Sequence, residues 1–300
     1  FSMCFNYGDN GVFRLGADAL SNAHGSIGKY HWGLDFRGIS VGSQRLAICA
    51  PDSMLPGQAT PCGAIPDSGT TMIMGPAEQV VGLYAGLCDQ WERCRRNHTA
   101  LLEAAAAAKT AAVKAYGVDP FGIALEPVIS KAEVLQWLLL DCASWLETAP
   151  RGLDELPNID FHVVGSTGTK QSLTLRPKAY VIASELQHAN LTGKIASLGN
   201  KLNGRNKVCA PAFGAMEYET QSNGHVWILG TPFFYEFAVG YDMFSKPPAI
   251  SFTSTSKEPC GSCGGKPAAL VAASAQRPGQ PRWQPGPARQ PTGIDRSQPL

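Results

Sequence analysis

Charge is scarce in this chain of 300 residues: Asp, Glu, Lys and Arg make up 16%, against about 25% in average proteins, and the formal net charge is +1. Without a basic excess there is no electrostatic footprint for nucleic acid or an anionic membrane surface, and neither is expected as a partner. Long hydrophobic runs are missing too. The longest candidate, residues 134–146, is broken by Gln136, Asp141, Cys142 and Ser144 and falls short of the ~18 apolar residues of a membrane span. It reads as a buried helix or strand. His24, His31, His162 and His188 have no nucleophile or metal-ligand spacing around them, so they read as structural or exposed histidines and no metal is expected. A starting Met and a charged, apolar leader are both lacking, and the chain is expected to be a piece of something longer.

Turn formers, by contrast, are abundant. Gly (32) and Pro (22) together make about 18% of the residues, against roughly 12% in average usage, the profile of a turn-rich, mostly β chain. At this length roughly 75% of the unfolded surface can be buried, so folding needs no metal or partner. The 9 cysteines suggest an oxidising compartment, with an odd one left over. Cys260-Gly-Ser-Cys263 is a CxxC at the edge of a Pro/Gly-rich tail, where redox or zinc chemistry is not the expected reading. Two Asn-x-Thr triplets, at Asn97 and Asn190, fit a secretory route, although such triplets also arise by chance.

Patterning divides the chain into four stretches. Residues 1–75 alternate apolar and small or polar residues, as in 33–41, between Gly/Asn/Asp turns. Residues 76–141 change character: 101–116 holds five consecutive alanines with Glu103, Lys109 and Lys114, which predicts helix and makes this stretch look inserted into a β scaffold. Its Arg93, Arg95 and Arg96 read as a solvated face. Strand patterns return in 142–259, at 159–164, 172–175, 180–182, 226–229, 237–239 and 249–252. Residues 260–300 are dominated by Pro, Gly, Gln, Ala and Arg and are expected to be disordered.

The sharpest local feature is Asp67-Ser68-Gly69-Thr70-Thr71, following the apolar Ala64-Ile65-Pro66. It sets one carboxylate at a strand end, where the Gly69 amide and the Ser68 and Thr70 hydroxyls can orient it. A bare Asp-Ser-Gly is also the composition of an ordinary Asx turn. Downstream, Trp227-Ile228-Leu229-Gly230 leads to Phe237-Ala238-Val239-Gly240-Tyr241-Asp242.

The order of these motifs resembles the carboxy-terminal lobe of pepsin-like aspartic proteases. Phe1-Ser2 is similar to the opening strand of that lobe, Asp67 to Thr70 to its catalytic turn, and Trp227 to Gly230 to its closing hairpin. The resemblance covers roughly 1–75 and 140–255. It implies a mostly β, pepsin-like lobe of double-ψ architecture with a helical insertion. It also implies disulfides Cys49–Cys62, Cys142–Cys209 and Cys4–Cys260; outside the resemblance, Cys88 and Cys94 can close a loop in the insertion, with Cys263 left over.

The same resemblance implies an aspartic endopeptidase of the secretory or endolysosomal route. No metal or organic cofactor is implied. Asp67 is the catalytic candidate, with Ser68, Gly69, Thr70 and Thr71 orienting it or the substrate backbone and Ile73 and Met74 shaping an apolar subsite. The substrate would be an extended peptide with bulky apolar side chains around the cut. In such enzymes two aspartates share a proton, yet Asp67 stands in the only Asp-[Ser/Thr]-Gly of the chain. The first aspartate is expected from a missing amino-terminal lobe of the same precursor. Two rival readings are a non-catalytic binding protein of the same fold and a single-lobe homodimer in which two copies of Asp67 meet. One departure from the family pattern is Pro66, which removes a backbone donor just before the catalytic turn.

Overall fold

The computed structural model describes residues 1–16, 22–116, 129–185, 207–257 and 259–261. The first part supplies strands β1 (Ser2–Cys4), β2 (Val12–Arg14), β3 (His24–Gly25), β4 (Leu34–Val41), β5 (Gln44–Arg45), β6 (Cys62–Pro66) and β7 (Ile73–Gly75). Three helices follow, α1 (Ala77–Gln90), α2 (Glu92–Tyr116) and α3 (Lys131–Leu140). Next come β8 (Ile159–Val164), β9 (Lys170–Leu175), the single turn α4 (Pro177–Tyr180), β10 (Val181–Glu185), β11 (Lys207–Pro211), β12 (Phe213–Ala215) and β13 (Glu219–Thr220). The last elements are β14 (Gly224–Leu229), the short helix α5 (Thr231–Glu236), β15 (Phe237–Asp242) and β16 (Ala249–Ser254). The fold is a mostly β one of mixed sheets with few helices.

In the largest sheet the strand order is β12-β7-β14-β6-β4-β8-β9, with β13 on β14 and β5 on β4. Burial follows position in it. β8 near the edge alternates, with Ile159, Phe161 and Val163 buried and the residues between them half-buried, whereas β6 and β14 in the middle are buried almost throughout. Strands covered on both faces need apolar residues at both parities, and 62–66 and 226–229 supply them. A second sheet, β2-β1-β15-β16-β3, is antiparallel and joins the two ends of the described chain.

One main core lies between the large sheet, the helices and the inner side of the second sheet, which adds Phe237, Val239, Ile250 and Phe252. Phe36, Phe161, Trp227 and Phe233 are fully buried in it, and the Phe161 and Phe233 rings meet edge to face at 4.9 Å. α1 faces this core with Val80, Leu83, Tyr84 and Leu87, the i, i+3, i+4, i+7 stripe of an amphipathic helix. α3 starts in a capping box, Ser130 Oγ accepting from the Glu133 amide and Glu133 Oε2 from the Ser130 amide. Residues 134–146 are thus the rest of this helix and the turn after it, with Val134, Leu135 and Leu139 buried and Trp137 and Leu140 exposed.

Two sequence expectations are corrected. The chain after Trp227 to Gly230 does not turn back as a hairpin: Phe233 and Phe234 lie on α5, entered through Pro232 in its first turn, and both are fully buried. Ile73 is also fully buried in the main core, so it shapes no open subsite.

Four disulfides staple the chain: Cys4–Cys260, Cys49–Cys62, Cys88–Cys94 and Cys142–Cys209. Three are the pairs that the resemblance implies, and Cys88–Cys94 closes the loop expected within the insertion. Cys260 is therefore tied to β1, while residues 262–300, Cys263 included, lie outside the described residues, as do Asp18, Asp119, His188 and Asn190. Among the described residues no helix is long and apolar enough to cross a membrane.

Candidate active site

β6 and β7 are consecutive in the chain but not neighbours in the sheet. β14 runs between them, parallel to β6 through Ile65↔Ile228 and Pro66↔Leu229 and antiparallel to β7 through Ile228↔Met74. The connection from β6 to β7 must therefore pass over the end of β14. That connection is Asp67 to Met72.

Its first residue is fixed by the sheet and its carboxylate by the turn. The Asp67 amide donates to the Leu229 carbonyl at 3.0 Å, continuing the ladder one residue past β6. The Gly69 amide donates to Asp67 Oδ1 at 2.9 Å and Thr70 Oγ1 donates to Oδ2 at 2.6 Å, so each carboxylate oxygen accepts one bond. A carboxylate held at both oxygens has little rotational freedom left. Among the described residues Ser68 makes no hydrogen bond to Asp67, which corrects the expectation that its hydroxyl orients the carboxylate. Asp67, Ser68 and Thr70 are half-buried, and Gly69 and Thr71 are exposed.

The chain leaving β14 closes the turn from below. Thr231 donates its amide to the Thr70 carbonyl and its hydroxyl to the Thr71 carbonyl, both at 2.8 Å. Gly230 must be glycine here, because a Cβ would stand 2.1 Å from the Met72 carbonyl oxygen and 2.4 Å from that of Thr70. Beneath this layer Trp227 is fully buried, its Nε1–H donating to Gln79 Oε1 at 2.8 Å. Gly75 leaves room for it: a Cβ there would lie 2.6 Å from the indole ring.

Pro66 fits because its missing donor has no partner to lose. Strand β4 pairs with β6 only as far as Leu34↔Ala64, so the ladder on that side has ended before Pro66. The Pro66 carbonyl accepts instead from the Tyr241 hydroxyl at 3.4 Å. Burial pushes the Tyr241 hydroxyl well above its ordinary pKa, and the negative charge of Asp67 adds to the effect. Tyr241 therefore stays a neutral donor under the site. Sequence reasoning gave Tyr241 and Thr231 no role, since the contacts are 175 and 160 residues apart in the chain.

The sheet face opposite the main core carries a smaller apolar cluster. Ile65, Val226 and Ile228 are buried in it, with Ile27, Met74, Met216 and Tyr218 partly exposed around them. Period-two alternation explains the split, since Ala64 and Trp227 belong to the main core and their neighbours Ile65, Val226 and Ile228 to this ledge. Ile65 precedes Asp67 by two residues. Asp35, on β4 opposite Gly63, is buried with Oδ2 accepting from Arg37 Nε at 2.8 Å and Oδ1 unpartnered among the described residues. Burial raises its carboxyl above the usual range, against the pull of Arg37.

The histidines lie elsewhere. His24 is fully buried between the Thr169 carbonyl and Gln171 Oε1, His162 bridges the Ser40 and Ser172 hydroxyls, and His31 is exposed. Among the described residues no group of three or more His, Cys, Asp or Glu side chains is placed to hold a metal ion. What the turn offers chemically is one oriented, partly exposed carboxylate beside an apolar ledge. No protein-family model matches the chain, and no curated protein matches it.

Proposed function

We propose that Asp67 is one of the two aspartates of an aspartic endopeptidase, carried on a pepsin-like lobe of double-ψ β architecture. The observation that carries this reading is β14 threading between β6 and β7, with the Asp67 turn over its end and both carboxylate oxygens held. An oriented, partly exposed carboxylate at a strand end suits pairing with a second one. Two carboxyls brought close together share one proton, since both cannot ionise together. The ionised member takes a proton from a water that attacks the peptide carbonyl. The protonated member polarises that carbonyl and then serves the leaving amine.

The first aspartate comes from an amino-terminal lobe of the same precursor, because the 300 residues hold no second Asp-[Ser/Thr]-Gly. The substrate is a peptide bound in extended form, and the partly exposed Met74, Met216 and Tyr218 over buried Ile65 and Ile228 favour bulky apolar side chains. Water and two carboxyls suffice, with no metal or organic cofactor. Four disulfides agree with a protein of the secretory or endolysosomal route.

The test is cleavage of an unstructured protein at about pH 3 to 6 by the longest native product and by this chain, each with and without a statine-type transition-state analogue. Inhibitable cleavage by the long form is expected, and its loss in Asp67→Asn. Concentration-dependent cleavage by this chain alone would replace the two-lobe reading with a homodimer. A folded long form that cuts nothing would leave the fold with a binding role.

A further inference from the structure

We propose that Asn97 carries an N-linked glycan. Asn97-His98-Thr99 has the acceptor pattern, with no proline between Asn and Thr. A triplet of this kind means little until the folded chain shows room for a sugar, and here it does. Asn97 lies in the second turn of α2, and both it and Thr99 are exposed. Its neighbours leave the space open. Asn97 helps line a surface groove of about 1020 Å³, together with Trp91, Arg96, Ala100, Pro150 and Arg151. A glycan rooted there has the groove to lie in and displaces no packed side chain.

Local bonding is compatible with the modification. Asn97 Nδ2 donates to the Arg93 carbonyl one turn back at 2.8 Å. A glycosylated side-chain amide keeps one N–H, so that bond can persist. The compartment is indicated independently by oxidation chemistry: Cys88–Cys94 ends three residues before Asn97, and three more disulfides form elsewhere. The co-reactant is an oligosaccharide carried on a lipid diphosphate. Nδ2 bonds to the anomeric carbon, the bond from that carbon to the phosphate oxygen breaks, the lipid diphosphate leaves with the electron pair, and the amide gives up one proton to base. The proposal does not depend on the role of Asp67.

The test is the full chain expressed behind a secretion leader in a eukaryotic host, with total protein treated with peptide N-glycosidase in heavy-oxygen water. That enzyme converts a glycosylated Asn into heavy-oxygen Asp, which peptide mass spectrometry locates. Heavy Asp at position 97 is expected in most molecules. The accompanying mobility shift should persist in Asn190→Gln and in Thr99→Ser, and the label at 97 should vanish in Thr99→Ala. An unlabelled Asn97 in the wild-type chain, or a shift owed wholly to Asn190, overturns the proposal. Because the wild-type peptide decides the matter, poor folding of a variant leaves the answer intact.

Discussion

Thr70 does at one residue what the rest of the turn does with backbone: its hydroxyl holds Asp67 Oδ2 at 2.6 Å, while the Gly69 amide holds Oδ1. A hydrogen bond to a charged group contributes about 1.5–3 kcal/mol, so its loss corresponds to roughly ten- to a hundredfold in rate if the carboxylate must be held for reaction. In the proposed two-lobe enzyme, Thr70→Val should lower kcat by that order with little change in KM, and Thr70→Ser should restore it. Steady-state kinetics on one peptide substrate check this, and equal kcat in Val and Thr forms would show that the bond does not position the carboxylate. Asp35 is the other residue whose environment has a measurable consequence. Burial raises its native pKa above the unfolded value, so the folded chain binds that proton more tightly. The contribution is fully present below the unfolded pKa and is lost as pH rises through the raised one. Asp35→Asn removes the titration, so thermal melts across that window should show a flatter pH dependence than wild type. An unchanged slope would place the titrating group elsewhere.

At the scale of elements, the site depends on three strands meeting with almost no space between backbones. Gly230 is the tightest point, and its φ of −75° is open to any residue, so only the clash with the Met72 and Thr70 carbonyls excludes a side chain. Gly230→Ala should cost about 1–3 kcal/mol by forcing backbone apart. For a chain of this size each kcal/mol lowers the melting temperature by roughly 2–4 °C, which calorimetry resolves. A melt matching wild type would mean that the Thr70 to Met72 segment yields without strain. The strands themselves were legible: 159–164 reads as alternation and is β8, 33–41 contains β4, and 226–229 lies within β14. α5 was not. Its sequence, Thr-Pro-Phe-Phe-Tyr-Glu, carries three aromatics of good strand propensity, and tertiary burial of Phe233 and Phe234 decides for one helical turn and a half.

Across the whole molecule, the helices and the large sheet share a core rather than forming separate units. α1 buries Leu83 and Leu87 in the same cluster as Trp227 and Phe161, and Trp91 and Trp145 pack edge to face at 5.1 Å between the helices and the segment leading to β8. Disulfides reinforce this over long distances. Cys142–Cys209 joins the end of α3 to β11 across 67 residues, and Cys4–Cys260 joins β1 to the chain after β16 across 256. Closing long loops restricts the unfolded chain most, with a typical contribution of about 2–4 kcal/mol each. The oxidising environment these bonds require is the one in which Asn97 would meet its sugar donor.

The sequence by itself determined what depends on neighbours in the chain: the helix at 101–116 from its alanines, the alternation of β8, and an acidic turn at Asp67 from Asp-Ser-Gly-Thr. Short-range sterics and side-chain periodicity act within a few residues, so a linear reading reaches them. Only the tertiary structure decided that β14 separates β6 from β7, that Thr231 and Tyr241 support the Asp67 turn, and that Ile73 is core while Met74 reaches the open ledge. Those outcomes rest on contacts between residues more than a hundred positions apart, or on which of two sheet faces meets the larger core. Composition and local pattern carry no term for either.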